Sequence, residues 1–255
     1  MAEGGRPRRL VGVSLKMYFT AALTQSYVTT VRDLLNADPS LSEDVDIFII
    51  PDHISVTKTV SILRDRPAVL VGAQDCAPDD HGAFTGCVSP AVLAEVGVRI
   101  VEVGHAERRR LFGETDTTTA AKARAAVRNG MVPLVCVGEA GRGDISAAAD
   151  MVTAQVDDVL SGLPGDADLV LAYEPVWAIG ASEPAGVDHV VAVVRALRES
   201  PAVRGRPGRT RIVYGGSAGP GLFAQLKDAV DGLFLGRFGH NPEVFVKTAR
   251  EVAEA

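Results

Sequence analysis

The chain has 255 residues, 47% of them hydrophobic, and carries a formal net charge of −6 with a pI near 5.4. That is ample for a packed core, and the length suits two domains or one large α/β barrel. The acidic balance argues against a general nucleic-acid or anionic-membrane surface while leaving room for one small basic pocket.

The first segment, "GGRPRRL" (Gly4–Leu10), is basic but short and reads as a solvated lead-in. It lacks the apolar core of a signal peptide, and no later run approaches transmembrane length. From there short β-rich runs recur in order: "RLVGVSL", "VDIFIIP", "AVLVGAQ", "RIVEVGH", "VPLVCVGE", "LVLAYEP", "RIVYGGS" and "GLFLGR". Each is nearly continuous in Val, Ile and Leu rather than alternating, the pattern of strands buried on both faces in a parallel sheet. Helical spacing fills the gaps. In "ALTQSYVTTVRDLL", Leu23, Tyr27, Val31 and Leu34 or Leu35 are expected on one face. "SPAVLAEVG" offers Ser89 as N-cap with Pro90 at the first helical position, and "NPEVFVKTAREV" repeats this with Asn241 and Pro242. Gly130 stands where "AAKARAAVRNG" needs a C-terminal cap. No linker or composition break divides the eight strand-plus-helix units, so residues 1–255 are expected to form one (β/α)8 barrel domain. A doubly wound open sheet is the alternative.

A barrel places its active site where strands end and loops begin. Lys16, Gln74, His105, Glu174, Gly215–Ser217 and Gly236–Arg237 all follow apolar runs at such points. Glu174, among apolar neighbours, would become a stronger base by desolvation. The apolar loop "PVWAIG" after it could close over it between Pro175 and Gly180. A helix starting after His105 would favour a neutral imidazole able to donate to a carbonyl oxygen. Lys16 would need an anionic partner if buried. "YGGSAGPG" could turn backbone N–H groups and Ser217 toward a phosphate. Taken singly, Glu174 could be an exposed strand-end carboxylate, Trp177 core, His105 a structural cap, Lys16 a surface lysine and the glycines an ordinary turn. Arg108, Arg109 and Arg110 read as salt-bridging helix residues. His53, His81, His189 and His240 have no metal-ligand spacing with His105, so no metal is expected. Cys76, Cys87 and Cys136 are odd in number and far apart, which suits a reduced cytoplasm. Jointly, a base, an electrophile, a cation and a phosphate cradle fit proton abstraction beside the carbonyl of a phosphorylated sugar.

These residues carry a resemblance to the triosephosphate isomerase family over nearly the whole chain. "AYEPVWAIG" looks like its catalytic glutamate with its lid, "GHAERRRLFGE" is similar to its histidine motif, and "LKM" to its lysine segment. "GAQDC", "GAFTG", "VCVGE" and "YGGS" follow in the matching order. The resemblance implies a (β/α)8 barrel that uses neither metal nor organic cofactor, and usually a homodimer. Triosephosphate isomerase is itself the reference case for a glutamate base, a neutral histidine and a closing loop. On that pattern Glu174 would move the proton between adjacent carbons, His105 would serve the two oxygens, and Lys16 would stabilise the enediolate. Gly180, Ser217 and Gly236 would hold the phosphate, Glu107 and Cys136 would support the site, and Thr85 would reach the partner subunit.

Several positions depart from the family pattern, and they are expected to cluster near the substrate. Ser14 replaces an asparagine, Ala106 a serine, Asp75 an asparagine, Cys87 a glutamate, and Arg237 the second glycine of the phosphate loop; "ASEPAG" replaces the usual second hinge. Ser14 and Ala106 trim the reaction end, and Arg237 adds a cationic fork suited to phosphate. If that glycine needed a left-handed backbone, arginine would be strained there and the loop would have to shift. Ser14 and Arg237 therefore join the expected substrate-binding set. "LFLGR" also resembles family members of tetritol catabolism that isomerise erythrulose phosphates. The expected function is isomerisation of a four-carbon ketose phosphate. A triosephosphate isomerase, with Arg237 pointing away from the site, is the alternative, and a non-catalytic sugar-phosphate-binding barrel a further one.

Overall fold

The structure, a computed structural model, describes residues 8–255. Of the basic lead-in Gly4–Leu10, the part before Arg8 lies outside the described residues. Every apolar run forms a strand: β1 (Arg9–Ser14), β2 (Val45–Ile50), β3 (Val69–Ala73), β4 (Ile100–Val103), β5 (Val132–Val137), β6 (Leu169–Tyr173), β7 (Thr210–Tyr214) and β8 (Gly232–Leu235). Neighbours pair in parallel in sequence order, and β1 pairs with β8 from Leu10↔Gly232 to Val13↔Leu235. That last pairing closes an eight-stranded barrel and excludes the open doubly wound sheet, which would leave two free edges.

Side chains alternate across each strand, so every second residue points into the barrel. Leu10, Phe48, Ile50, Ile100, Leu134, Val170, Val213 and Phe234 fill the interior, while Val11, Ile47, Val101, Val135 and Leu171 belong to the outer core beneath the helices. Burial on both faces is why the strands read as unbroken apolar runs. A Cβ on Gly12 would lie 2.0 Å from the Phe48 ring, so glycine there admits the aromatic plug that Phe48 makes with Phe234.

The helix caps expected from the sequence are formed. Ser89 accepts from the Val92 N–H ahead of Pro90, Asn241 accepts from Val244 ahead of Pro242, and Gly130 takes φ +73° just past the helix Asp116–Arg128. The helix Ala21–Ala37 buries Thr24, Tyr27, Val28, Val31 and Leu35, whereas Leu23 is exposed, contrary to expectation. The stripe advances by three and four residues from Thr24, which leaves Leu23 on its flank in the first turn. Among the described residues, no helix is long and apolar enough to cross a membrane.

Candidate active site

At the C-terminal ends of the strands lies a cavity of about 650 Å³ lined by all eight expected site residues. Ser14 ends β1 and Lys16 follows it, His105 follows β4, Glu174 follows β6, Ser217 follows β7, Gly236 and Arg237 follow β8, and Gly180 sits in the loop after Glu174. Barrel closure brings together residues that are up to 223 positions apart in the chain, from Ser14 to Arg237.

His105, Glu174 and Lys16 meet at one end of the cavity. His105 caps the helix Ala106–Phe112, with Nδ1 accepting from the Glu107 N–H at 3.1 Å. A neutral ring bonded this way carries its proton on Nε2. Burial first, and the Lys16 charge second, push the His105 pKa down to about 4 against the opposing charge of Glu107. Nε2 stands 3.3 Å from Glu174 Oε2, an oxygen that makes no hydrogen bond. Burial, followed by the Glu102 charge, pushes the Glu174 carboxyl up to about 8, with Lys16 and a hydrogen bond from Cys136 acting the other way. The Cys136 thiol is itself held well above its usual range by burial. Glycine at 215 is required by this carboxylate, because a Cβ there would lie 2.4 Å from Glu174 Oε1.

Lys16 is not waiting for an anion, because its Nζ already pairs with Glu107 at 2.9 Å. Its backbone adopts φ +48°, a left-handed conformation that costs a non-glycine residue about 1–2 kcal/mol. The Gln74 side-chain amide donates to the Lys16 carbonyl at 2.8 Å and braces this turn. Ser217, at φ +57°, is the other left-handed non-glycine residue among those described, so both lie in the cavity, where such strain commonly serves function.

The opposite end is built from the lid and the last two strand loops. Val176–Ala178 forms a short 3-10 turn. Ser217 Oγ lies 2.8 Å from the Ala178 carbonyl and 3.0 Å from that of Ala181, and Arg237 Nη2 donates to the Gly180 carbonyl at 2.8 Å. Arg237 therefore faces the cavity and ties it to the lid rather than pointing away. The conditional expectation of strain fails as well: Arg237 opens a 3-10 turn without a left-handed backbone, and Gly236 has φ −95°.

Of the other departures, the hinge segment "ASEPAG" lines the cavity through Ala181 and Ser182, and the single-residue changes at 75, 87 and 106 lie off it. Asp75 accepts from Lys122 at 2.8 Å and pairs with Arg108, in an ionic cluster with Glu114 behind β3 and β4. Cys87 is exposed on the loop after β3, and Ala106 lines a small crevice behind Glu174. Of the three helix arginines expected to form salt bridges, Arg108 and Arg109 form ion pairs, whereas Arg110 is exposed.

Two buried carboxylates carry more of the site than the sequence reading assigned to them. Glu139, within the motif "VCVGE", accepts from the Trp177 indole at 2.8 Å, from the Tyr173 hydroxyl at 3.1 Å and from His189 Nε2 at 2.8 Å, anchoring the lid's first turn. Glu102 breaks the apolar run "RIVEVGH" at an inward position of β4. A lone charge inside such a strand was the available signal.

The family model described as triosephosphate isomerase matches residues 9–252 of this barrel, and the chain belongs to the triosephosphate isomerase family. It is 47% identical over 241 residues to an L-erythrulose-1-phosphate isomerase of Pectobacterium atrosepticum, an alignment covering 92% of this chain and 92% of the relative. It is 41% identical over 250 residues to an L-erythrulose-1-phosphate isomerase of Rhizobium rhizogenes, covering 94% and 93% of the two chains. A triosephosphate isomerase of Chloroflexus aurantiacus is 38% identical over 235 residues, covering 89% and 92%.

Proposed function

We propose that the protein isomerises a four-carbon ketose phosphate of the erythrulose 1-phosphate type in tetritol catabolism, through an enediolate. The observation that carries the isomerase reading is the approach of Glu174 to a neutral His105 in one cavity with Lys16. The likeness to the two L-erythrulose-1-phosphate isomerases supports the four-carbon substrate, as do Ser14 and Arg237, two departures that line the cavity.

The 1-phosphate of a 2-ketotetrose has its carbonyl at C2 and a removable proton at C3. Glu174 takes the C3 proton while His105 Nε2–H protonates the C2 oxygen. His105 recovers a proton from the C3 hydroxyl, and Glu174 returns its own to C2. The carbonyl then stands at C3, and the hydroxymethyl carbon C4 is unchanged. Lys16 stabilises the negative charge between the two steps. Backbone N–H groups of Gly180, Ser217 and Gly236 hold the phosphate with Arg237, whose guanidinium has donors to spare beyond the one on Gly180. A lid tied to both phosphate loops keeps water from the intermediate. A binding module would have no use for an unpaired carboxylate oxygen buried against a histidine, which disfavours the non-catalytic alternative.

Side-by-side kcat/KM values on L-erythrulose 1-phosphate and dihydroxyacetone phosphate are expected to favour the four-carbon substrate. A preference for the triose would establish the triosephosphate isomerase alternative instead. The pH profile follows from the base. Glu174 acts ionised, and its carboxyl is pushed up to about 8, so kcat/KM should fall as pH drops through that region. His105 remains neutral down to about 4 and adds no limb there. A profile flat around pH 8 would remove Glu174 as the titrating base.

A homodimer is proposed on the same footing. Met17, Ile54, Phe84 and Phe112 are exposed apolar residues that follow β1, β2, β3 and β4, four neighbours on one arc of the rim. Such a patch suits a protein partner, and Thr85 stands exposed in its midst. The paired substitutions Met17→Asp and Phe84→Asp should convert a dimer to a monomer in sedimentation and lower turnover. A wild-type chain that sediments as a monomer would end the dimer reading. The free thiols of Cys76, Cys87 and Cys136 fit a reducing compartment, and the cytoplasm is the proposed location.

A further inference from the structure

Beneath the reacting groups lies a buried acid whose presence the isomerase chemistry above does not explain. Glu102 points into the barrel from β4 and is only 3% exposed. It forms no ion pair with a described residue, since Lys16 is engaged by Glu107 and pairs with Glu107 instead. Its hydrogen bond comes from across the barrel, where Ser14 Oγ donates to Oε2 at 2.9 Å. A carboxyl buried with one hydroxyl partner is costly compared with an aliphatic side chain of similar size. Burial pushes it up to about 7, with Lys16 and the Ser14 hydrogen bond opposing and Glu107 and Asp75 adding to the rise. Glu102 in turn raises the titration of Glu174 and Cys136, which places it among the reacting groups.

Ser14 lines the cavity two residues before Lys16, and Glu102 precedes His105 by three on β4. Both therefore belong to the reaction end, away from Gly180, Ser217 and Arg237. That is where a four-carbon ketose phosphate differs from a triose: a hydroxymethyl group replaces one hydrogen on the carbon that Glu174 deprotonates. A serine hydroxyl has one proton and two lone pairs. With its proton given to Glu102, Ser14 can offer the cavity only an acceptor.

We propose that Ser14 and Glu102 form the subsite for the terminal hydroxymethyl of the substrate, Ser14 accepting its hydroxyl proton and Glu102 acting as the positioning residue that fixes Ser14 as an acceptor. This rests on the four-carbon reading of the substrate. A site built around such a hydrogen bond discriminates strongly against an analogue that lacks the group, because its polar atoms are left unpaired.

The test is the ratio of kcat/KM on L-erythrulose 1-phosphate to that on dihydroxyacetone phosphate in wild type, Ser14→Ala, Glu102→Leu and Glu102→Gln. The wild-type ratio alone tests the four-carbon reading; the change in the ratio on substitution tests the subsite. Ser14→Ala and Glu102→Leu should each lower the ratio about 10- to 100-fold, the effect of one lost buried hydrogen bond. Glu102→Gln keeps a carbonyl acceptor for Ser14 and should restore most of the ratio, which a packing role would not require once size is matched. Calorimetric binding of 2-phosphoglycolate, which has no hydroxymethyl group, identifies variants whose cavity is intact. If Glu102→Leu fails to bind it, Ser14→Ala decides. A ratio within about twofold of wild type in a Ser14→Ala protein that binds phosphoglycolate would overturn the subsite.

Discussion

Glu174→Gln is expected to lower kcat by about 10²–10⁴-fold, the usual contribution of a positioned general base, while phosphoglycolate still binds. Glutamine has the same shape but cannot accept the substrate proton. The carboxylate sits against Gly215 with no room to relax, and its Oε2 faces His105 with no hydrogen bond of its own. The variant should also be more stable than wild type above acidic pH. The folded-state carboxyl is raised to about 8 from an ordinary value of 4.5, so between those values the folded protein holds a proton that the unfolded chain has released. Stability then falls as pH rises through that window. Removing the ionisable group removes the loss, so the difference in Tm should widen from acidic to mildly alkaline pH. Near-wild-type turnover, or a variant less stable at alkaline pH, would remove Glu174 from this role.

Lys16→Met is expected to lower kcat/KM by at least about 10²–10³-fold, as when one preorganised donor to a developing oxyanion is removed. Burial disfavours the Lys16 ammonium, but the Glu107 hydrogen bond and the charges of Glu174, Glu107 and Glu102 outweigh it, so the cation is kept. It is the cation that balances three carboxylates around the cavity. Methionine would match its length without the charge. The pH profile should move as well: Lys16 holds down the titration of Glu174, so its loss should shift the acid limb to higher pH. A loss of activity with an unshifted limb would mean that Lys16 acts only by binding substrate. The left-handed turn at Lys16 is braced by Gln74 through the backbone, a support that survives the substitution.

Much of the site is legible in the sequence. Glu174, His105 and Lys16 stand out because each interrupts or ends an apolar run, and a parallel barrel gathers strand ends at one face. What the runs could not convey was direction. Nothing in "GLFLGR" says that Arg237 turns back to the Gly180 carbonyl, a contact 57 positions away. Asp75 looked like a change beside the substrate, yet it lies in the Lys122–Arg108 cluster, because its partners come from helices distant in sequence. Glu102 was visible as a charge within a strand, but its partner Ser14 is 88 positions away on the opposite side of the barrel.

The sequence by itself determined the eight strands, their burial on both faces, the helix caps and the polar side chains that stand at the strand ends. These follow from local periodicity and from residue chemistry, both of which are written along the chain. Only the tertiary structure decided that β8 closes on β1, that Lys16 is held left-handed and already paired with Glu107, and that Ser14 gives its proton to Glu102. Each of those is a contact between residues brought together by closure of the barrel, and a one-dimensional pattern carries no distance across it.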